Sequence, residues 1–497
     1  MKRYIGLAAF AFAILACTAV WFGGLNQDEG WYLYAANLVS EGHVPYRDFF
    51  FTQGPVMPIV YSAFTWVWKG WGLLGARIFT LFLGVFGMLF AAGLVRRLVP
   101  DERRNLASTV VVLLLGCNLY HLYYLAIPKT YALAGLFVLA AFYLLSFEHA
   151  ALTFAAGLCL AFAAGTRISL GLLLAVAGVW LIVKGPRFAW LWFGIGGVLG
   201  LALAYGPYLL DPEALPGLFA AELYHSAREG FDPLMMVGSV SRFVRWYWPV
   251  LVLLGLGIGG IREGGLARLL LFSFAAVFFV QTLAPHPYED YHVPVVALLA
   301  VPAAAWASGL KIEGRASFVA LLALGMTWAA SFGSPLIEQW STNAQDRFWT
   351  RKKLTSELGQ LRQVAHDIES IDPGGSELFT QDLYLAIETR RRVPIQMSMG
   401  PFCYWGDGLP YRGAEKVVLD DAGMVSLIEQ APCEVAALSG YSFAIDVPSG
   451  RETPMDTQIT FWTLVKRRYN LVFTESDFGQ HATPLLVLKK KHGFDDR

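Results

Sequence analysis

The chain has 497 residues, of which 56% are hydrophobic and 15% charged, with 38 Lys/Arg balanced by 38 Asp/Glu. Soluble globular domains carry about 25% charged residues, so this composition and a mean hydropathy of +0.48 point to a polytopic membrane protein. Apolar content this high excludes intrinsic disorder, 5 Cys cannot staple a chain of this length, and zero net charge gives no electrostatic case for a nucleic-acid partner.

The charge is unevenly spread. Residues 1–340 hold 37 charged side chains, whereas residues 341–497 hold 39 in less than half the length. Two domains are expected: a transmembrane domain over 1–340 and a soluble α/β domain over 341–497. A bilayer core of about 30 Å takes roughly 20 apolar residues per helix. In chain order the qualifying runs are 4–24, 72–95, 107–125, 130–147, 150–166, 168–184, 189–210, 246–261, 266–284, 291–309 and 316–334. The expected fold class is therefore an all-α membrane bundle of about eleven helices carrying a C-terminal α/β domain.

Orientation follows the basic residues. Lys2 and Arg3, then Arg96, Arg97, Arg103 and Arg104, then Lys184 and Arg187, then Arg262 and Arg268, then Lys311 and Arg315 all fall on alternate, mostly short connections. This predicts a cytoplasmic N-terminus in the cell (inner) membrane. An odd helix count then places the C-terminal domain on the extracytoplasmic side. Ala16-Cys17 after an apolar stretch faintly resembles a lipoprotein signal, but the apolar run continues to Gly24, so an uncleaved first helix is expected.

In the C-terminal region, Phe348, Leu354, Leu358, Leu361 and Val364 recur at helical spacing and predict an amphipathic helix over 344–370, ended by Asp372-Pro373-Gly374-Gly375. Strand-like runs follow at 377–380, 435–438 and 485–488, with a helix-like stretch over 424–430. An oxidising compartment would permit a bridge between Cys403 and Cys433.

The connection after the first span carries the densest chemistry. It reads Asn26-Gln27-Asp28-Glu29-Gly30-Trp31-Tyr32, then Gly42-His43-Val44-Pro45-Tyr46-Arg47-Asp48. An acidic pair emerging from a membrane helix sits where carboxylates are costly to desolvate, which favours function. The alternative is structural: Asp28 as the cap of a helix over 29–40, with Glu29 on its N-terminal dipole.

These residues, with Gln53-Gly54-Pro55-Val56-Met57-Pro58, Ala76-Arg77, the run Gly157 to Arg167 and Tyr288-Glu289-Asp290-Tyr291-His292-Val293-Pro294, resemble the GT-C membrane glycosyltransferases. The likeness is to glycosyltransferase family 39, the protein mannosyltransferase and aminoarabinose transferase-like group. The resemblance implies an inverting transfer of a hexosyl or pentosyl unit from a polyprenyl-phosphate-linked donor to a lipid, protein or polymer acceptor on the outer face of a membrane. It implies Asp28 as the base that takes the acceptor proton, with Glu29 orienting it or touching the acceptor.

A departing phosphate needs cations. The candidates are Arg167 at an external helix end, Lys129 between the third and fourth spans, and Arg242 and Arg245 near the membrane. Tyr32, Tyr46, Asp48, His286, Glu289 and Tyr291 are the candidate substrate-binding residues. Arg167 could equally anchor at the head groups, and Lys129 could be solvated. Many relatives carry an acidic residue in this second external loop, where this chain reads Leu125-Ala126-Ile127-Pro128-Lys129-Thr130, which weakens any second-loop acid or metal site. His286, Glu289, Asp290 and His292 match no metal motif; no cofactor is assigned and a divalent cation stays open. The competing readings are a lipid-linked glycan transporter or flippase and a non-catalytic glycan-binding scaffold. Against transport, the charges cluster in loops and no inverted repeat is visible.

Overall fold

Apolar runs without internal breakers form helices through most of the chain. The computed structural model describes residues 2–224, 232–257, 264–284, 287–310, 315–332, 356–406, 417–439, 453–480 and 482–492. The helices are α1 (Lys2–Phe22), α2 (Gln27–Ser40), α3 (Val56–Ser62), α4 (Thr65–Leu98), α5 (Arg104–Gly116), α6 (Leu119–Ala126), α7 (Thr130–Leu145) and α8 (Ala150–Thr166). They continue with α9 (Leu172–Lys184), α10 (Ala189–Leu209), α11 (Leu215–Tyr224), α12 (Pro233–Leu256), α13 (Gly265–Thr282), α14 (Ala297–Ala307) and α15 (Arg315–Ser331). The C-terminal region adds α16 (Glu357–Ile371), α17 (Leu383–Thr389), α18 (Asp421–Gln430) and α19 (Met455–Arg468), with strands β1 (Val435–Ser439), β2 (Tyr469–Phe478) and β3 (Thr483–Lys490).

The chain divides into two compact units. One comprises Met1–Trp21, Arg77–Tyr205 and Phe231–Lys353; the other comprises Phe22–Ala76, Gly206–Gly230 and Leu354–Arg497. The expected boundary near 340 lies outside the described residues. The polar first loop groups with the C-terminal region although some 300 positions separate them in sequence.

The first unit is helical. α7 packs along α8, α5 along α14 and α15, and α13 along α9 and α14, around a core that includes Leu114, Val138, Leu160, Leu173, Trp246, Tyr247 and Val301. Helix backbones meet closely where α8 crosses α10. A Cβ at Gly157 would lie 2.1 Å from the Phe193 carbonyl oxygen, and one at Gly196 would lie 2.0 Å from that of Phe154. Such small-residue crossings suit helices that pack without a hydrophobic drive from water.

Among the described residues α4, α10 and α13 are each long and apolar enough to cross a membrane, while α7, α8, α9, α14 and α15 are apolar but shorter. The run expected as one span over 107–125 is two helices bent by 75°. The cause is Asn118, whose side-chain oxygen accepts the His121 N–H (3.1 Å) while its amide donates to the Trp246 carbonyl (2.8 Å). Arg167, extended at the end of α8, likewise separates α8 from a short 3-10 turn and α9.

In the second unit α2 packs on α3 and α17. The approach to α17 is close enough that a Cβ at Gly30 would lie 2.2 Å from the Tyr384 backbone nitrogen. The sheet is antiparallel with order β1-β3-β2. β1, β3 and α18 fall where the sequence predicts them. The expected strand at 377–380 makes only single bridges, Glu377 to Arg392 and Phe379 to Ala436. α16 begins at Ser356, whose hydroxyl accepts the Gly359 N–H (3.0 Å); residues 344–355 of the predicted helix lie outside the described residues. Cys403 and Cys433 are buried free thiols, so the bridge that the compartment would permit is not formed.

Candidate active site

The candidate residues form two clusters, one in each unit. In the second unit α2 opens on a capping box. Asn26 has extended backbone and its side chain accepts the Asp28 N–H (3.1 Å); the Glu29 carboxylate returns to accept the Asn26 N–H (3.0 Å). The cap is therefore Asn26 and not Asp28. Asp28 is left half-buried in the first turn, where the helix dipole favours a carboxylate. Glu29 is fully buried, so its capping bond fixes the turn that carries Asp28. Gln27, one position earlier, donates from its side-chain amide to the buried Asp382 carboxylate (3.0 Å).

Tyr32 is buried with its ring edge-on to Trp31 and Phe51. Tyr46 adopts a left-handed backbone (φ 69°), and its hydroxyl donates to the Gln53 carbonyl (2.6 Å). Asp48 accepts the Val44 N–H (2.7 Å) and pairs with Arg47 (2.9 Å); that Arg47 bond holds its carboxyl below the ordinary value. These two residues pin the turn after α2.

The second cluster lies in the first unit, where the start of α7, the end of α8 and the turn Glu289–His292 converge. Lys129 Nζ meets Asp290 Oδ2 at 2.5 Å. Arg167 Nη1 donates to Thr130 Oγ1 at 3.0 Å. The Arg167 guanidinium stands 4.8 Å from the ring centres of both Tyr131 and Tyr291, and the Lys129 ammonium stands 5.0 Å from Tyr131 and 5.4 Å from Tyr124. Lys129, Arg167 and Asp290 are each under a tenth exposed. Burial works against the Asp290 charge, yet the Lys129 and Arg167 cations hold its carboxyl below the ordinary value. Lys129 and Arg167, set among tyrosine rings, give a cationic, aromatic-walled site suited to an oxyanion. Arg167 is buried among rings rather than extended to solvent. Lys129 is an ion-paired residue rather than a solvated one.

Arg242 is half-buried and Arg245 exposed, both on α12. Glu289 opens the 3-10 turn; its side chain and His286 lie outside the described residues. His292 is fully buried with its ring stacked 4.4 Å from that of Phe278. Among the described residues no group of three or more His, Cys, Asp or Glu is arranged to hold a metal ion. The Lys129–Asp290 pair escapes sequence reading because 161 positions separate its partners.

α7 starts at this cluster and ends at Ser146, whose carbonyl accepts from Arg97 (3.1 Å). Arg103 lies near Gly309 beyond the end of α14. The basic connection carrying Arg97 and Arg103 thus lies at the end of α7 away from the Lys129 cluster, about 24 Å along a sixteen-residue helix.

The fold is that of the GT-C membrane glycosyltransferases. The chain aligns over 98% of its length, and 97% of the other chain, with the aminoarabinose transferase ArnT of Cupriavidus metallidurans bound to undecaprenyl phosphate, at a TM-score of 0.66 and 13% identity. The apo state of the same protein gives a TM-score of 0.60. An oligosaccharyltransferase of Archaeoglobus fulgidus in complex with Zn and sulfate gives 0.52 at 13% identity, covering 95% of this chain and 72% of that one. No family model and no curated protein matches the chain.

Proposed function

We propose that this chain is an inverting glycosyltransferase that moves a sugar from a polyprenyl-phosphate donor to an acceptor on the extracytoplasmic face of the cell membrane. The observation that carries the reading is the buried Lys129–Arg167 pair walled by tyrosines, a site for the donor phosphate in a fold shared with a transferase solved with undecaprenyl phosphate. The basic residues Arg97 and Arg103 at the opposite end of α7 support a cytoplasmic side there.

In a single displacement the acceptor hydroxyl attacks the anomeric carbon from the face opposite the phosphate. The carbon–oxygen bond to phosphate breaks, and the electron pair leaves with the polyprenyl phosphate, whose growing charge Lys129 and Arg167 stabilise. Asp28 accepts the hydroxyl proton. Glu29 acts through Asn26 to hold Asp28, and Tyr291 walls the donor site. Arg242 and Arg245 are secondary phosphate contacts. Tyr46 and Asp48 shape the loop beside Tyr32.

The test supplies labelled polyprenyl-phosphate sugars to membranes from cells lacking this protein, complemented with wild type or Asp28→Asn. One labelled product in the lipid, protein or polymer fraction is expected with wild type. With Asp28→Asn at equal protein level it should fall at least about a hundredfold, the lower end of the range for loss of a general base. Equal products from both would defeat the mechanism, and no donor consumption by either would favour transport or scaffolding.

A further inference from the structure

Beside the first turns of α4 the second unit holds a cavity of about 460 Å³ that the transfer chemistry leaves unused. Its lining includes three surface cations, Lys69, Arg390 and Arg392, and the hydrogen-bonding side chains Asn37, Glu41 and Glu377. Arg392 pairs with Glu41 at 3.2 Å. Among the described residues Lys69 pairs with no carboxylate, and Arg390 donates only to the Gly70 carbonyl (3.1 Å).

Arg390 carries a second signal. It caps α17 in the left-handed region (φ 58°), a position that glycine fills at least cost. A strained non-glycine residue held at such a point is a pointer to function.

The surroundings identify the depth. α4 is apolar enough to cross a membrane, and its opening turns expose Trp66 at 69% and Trp71 at 63% on either side of Lys69. Tryptophan concentrates where bilayer meets water. The segment is held there by Arg390 on Gly70, by Arg362 on the Trp71 carbonyl (3.1 Å) and by the Leu73 N–H on Glu388 (2.8 Å). A cationic cavity at that level faces lipid phosphates, and basic residues there attract anionic lipid. The carboxylates and the amide in its lining suit hydroxyls on the same ligand.

We propose that this cavity binds the anionic, hydroxyl-bearing head group of a membrane phospholipid, with Lys69 and Arg390 on its phosphate. The inference is independent of the transfer mechanism. Its test titrates short-chain phosphatidylglycerol onto the purified full-length chain, with phosphatidylcholine of equal chain length and glycerol phosphate as comparators, reading bound lipid by native mass spectrometry and melting temperature in parallel. Phosphatidylglycerol should bind saturably and raise the melting temperature, and the comparators should not. Lys69→Gln and Arg390→Gly should each weaken it about fivefold. Arg390→Gly should leave the lipid-free melting temperature equal or higher, which separates lost binding from lost folding. Equal binding of phosphatidylcholine, unchanged binding in Arg390→Gly, or glycerol phosphate binding as tightly as the lipid would each overturn the proposal.

Discussion

Lys129 and Asp290 share a space nearly closed to water, and each is tolerable there because of the other. Removing one partner of a buried pair leaves an uncompensated charge and costs about 3 to 5 kcal/mol. Lys129→Met should therefore destabilise the folded chain by about that amount, and Lys129→Met with Asp290→Asn should recover more than half of it, measured by denaturation of the two purified variants. Equal instability in both would mean that the charges are not coupled. At this scale the sequence was partly legible. Arg167 and Lys129 stand out as rare cations at the ends of apolar runs, and Tyr291 as an aromatic beside them. Their convergence was not legible, since it depends on where three separate helix ends meet.

Among the elements, α2 shows how a local signal can be misassigned by two residues. An Asp-Glu pair before a helical run reads as a cap, yet Asn26 does the capping and Glu29 completes the box. Asn26→Ala should cost about 1 kcal/mol of stability. By loosening the turn that carries Asp28 it should also lower kcat about tenfold with little change in KM; steady-state transfer assays check this, and an unchanged kcat would sever the cap from catalysis. Strand β2 is unmarked in the sequence for a different reason. Tyr469–Phe478 leaves most of its side chains exposed, Leu471 and Val472 among them, so no alternation of buried and exposed residues marks it. Pairing with β3 makes it a strand. Asn118 is a clue the sequence does carry: a lone amide in an apolar run can bond backbone groups and turn the helix.

At the level of the whole molecule, the apolar-to-polar shift in composition announces a membrane part and a polar part. It cannot announce that residues 22–76 fold with the polar part, because that grouping comes from packing such as α2 against α17. The polar unit also buries its thiols. Burial pushes both Cys403 and Cys433 up to about 12, far above neutral pH, so almost no thiolate forms there. Both should resist maleimide at pH 7 in the native chain and react fully in denaturant, with no mobility change between reducing and non-reducing gels. Rapid native labelling of either would contradict the burial.

The joining of residues 22–76 with the C-terminal region also bears on descent. Tyr34 and Val393 exchange hydrogen bonds in both directions, Leu25 donates to Glu357, and Gly30 is small because Tyr384 lies against it. A recombination event that replaced everything after residue 340 would leave the proposed base on a helix whose counterpart had been exchanged. The two stretches fit each other as a set, and exchanging one alone is expected to forfeit these hydrogen bonds.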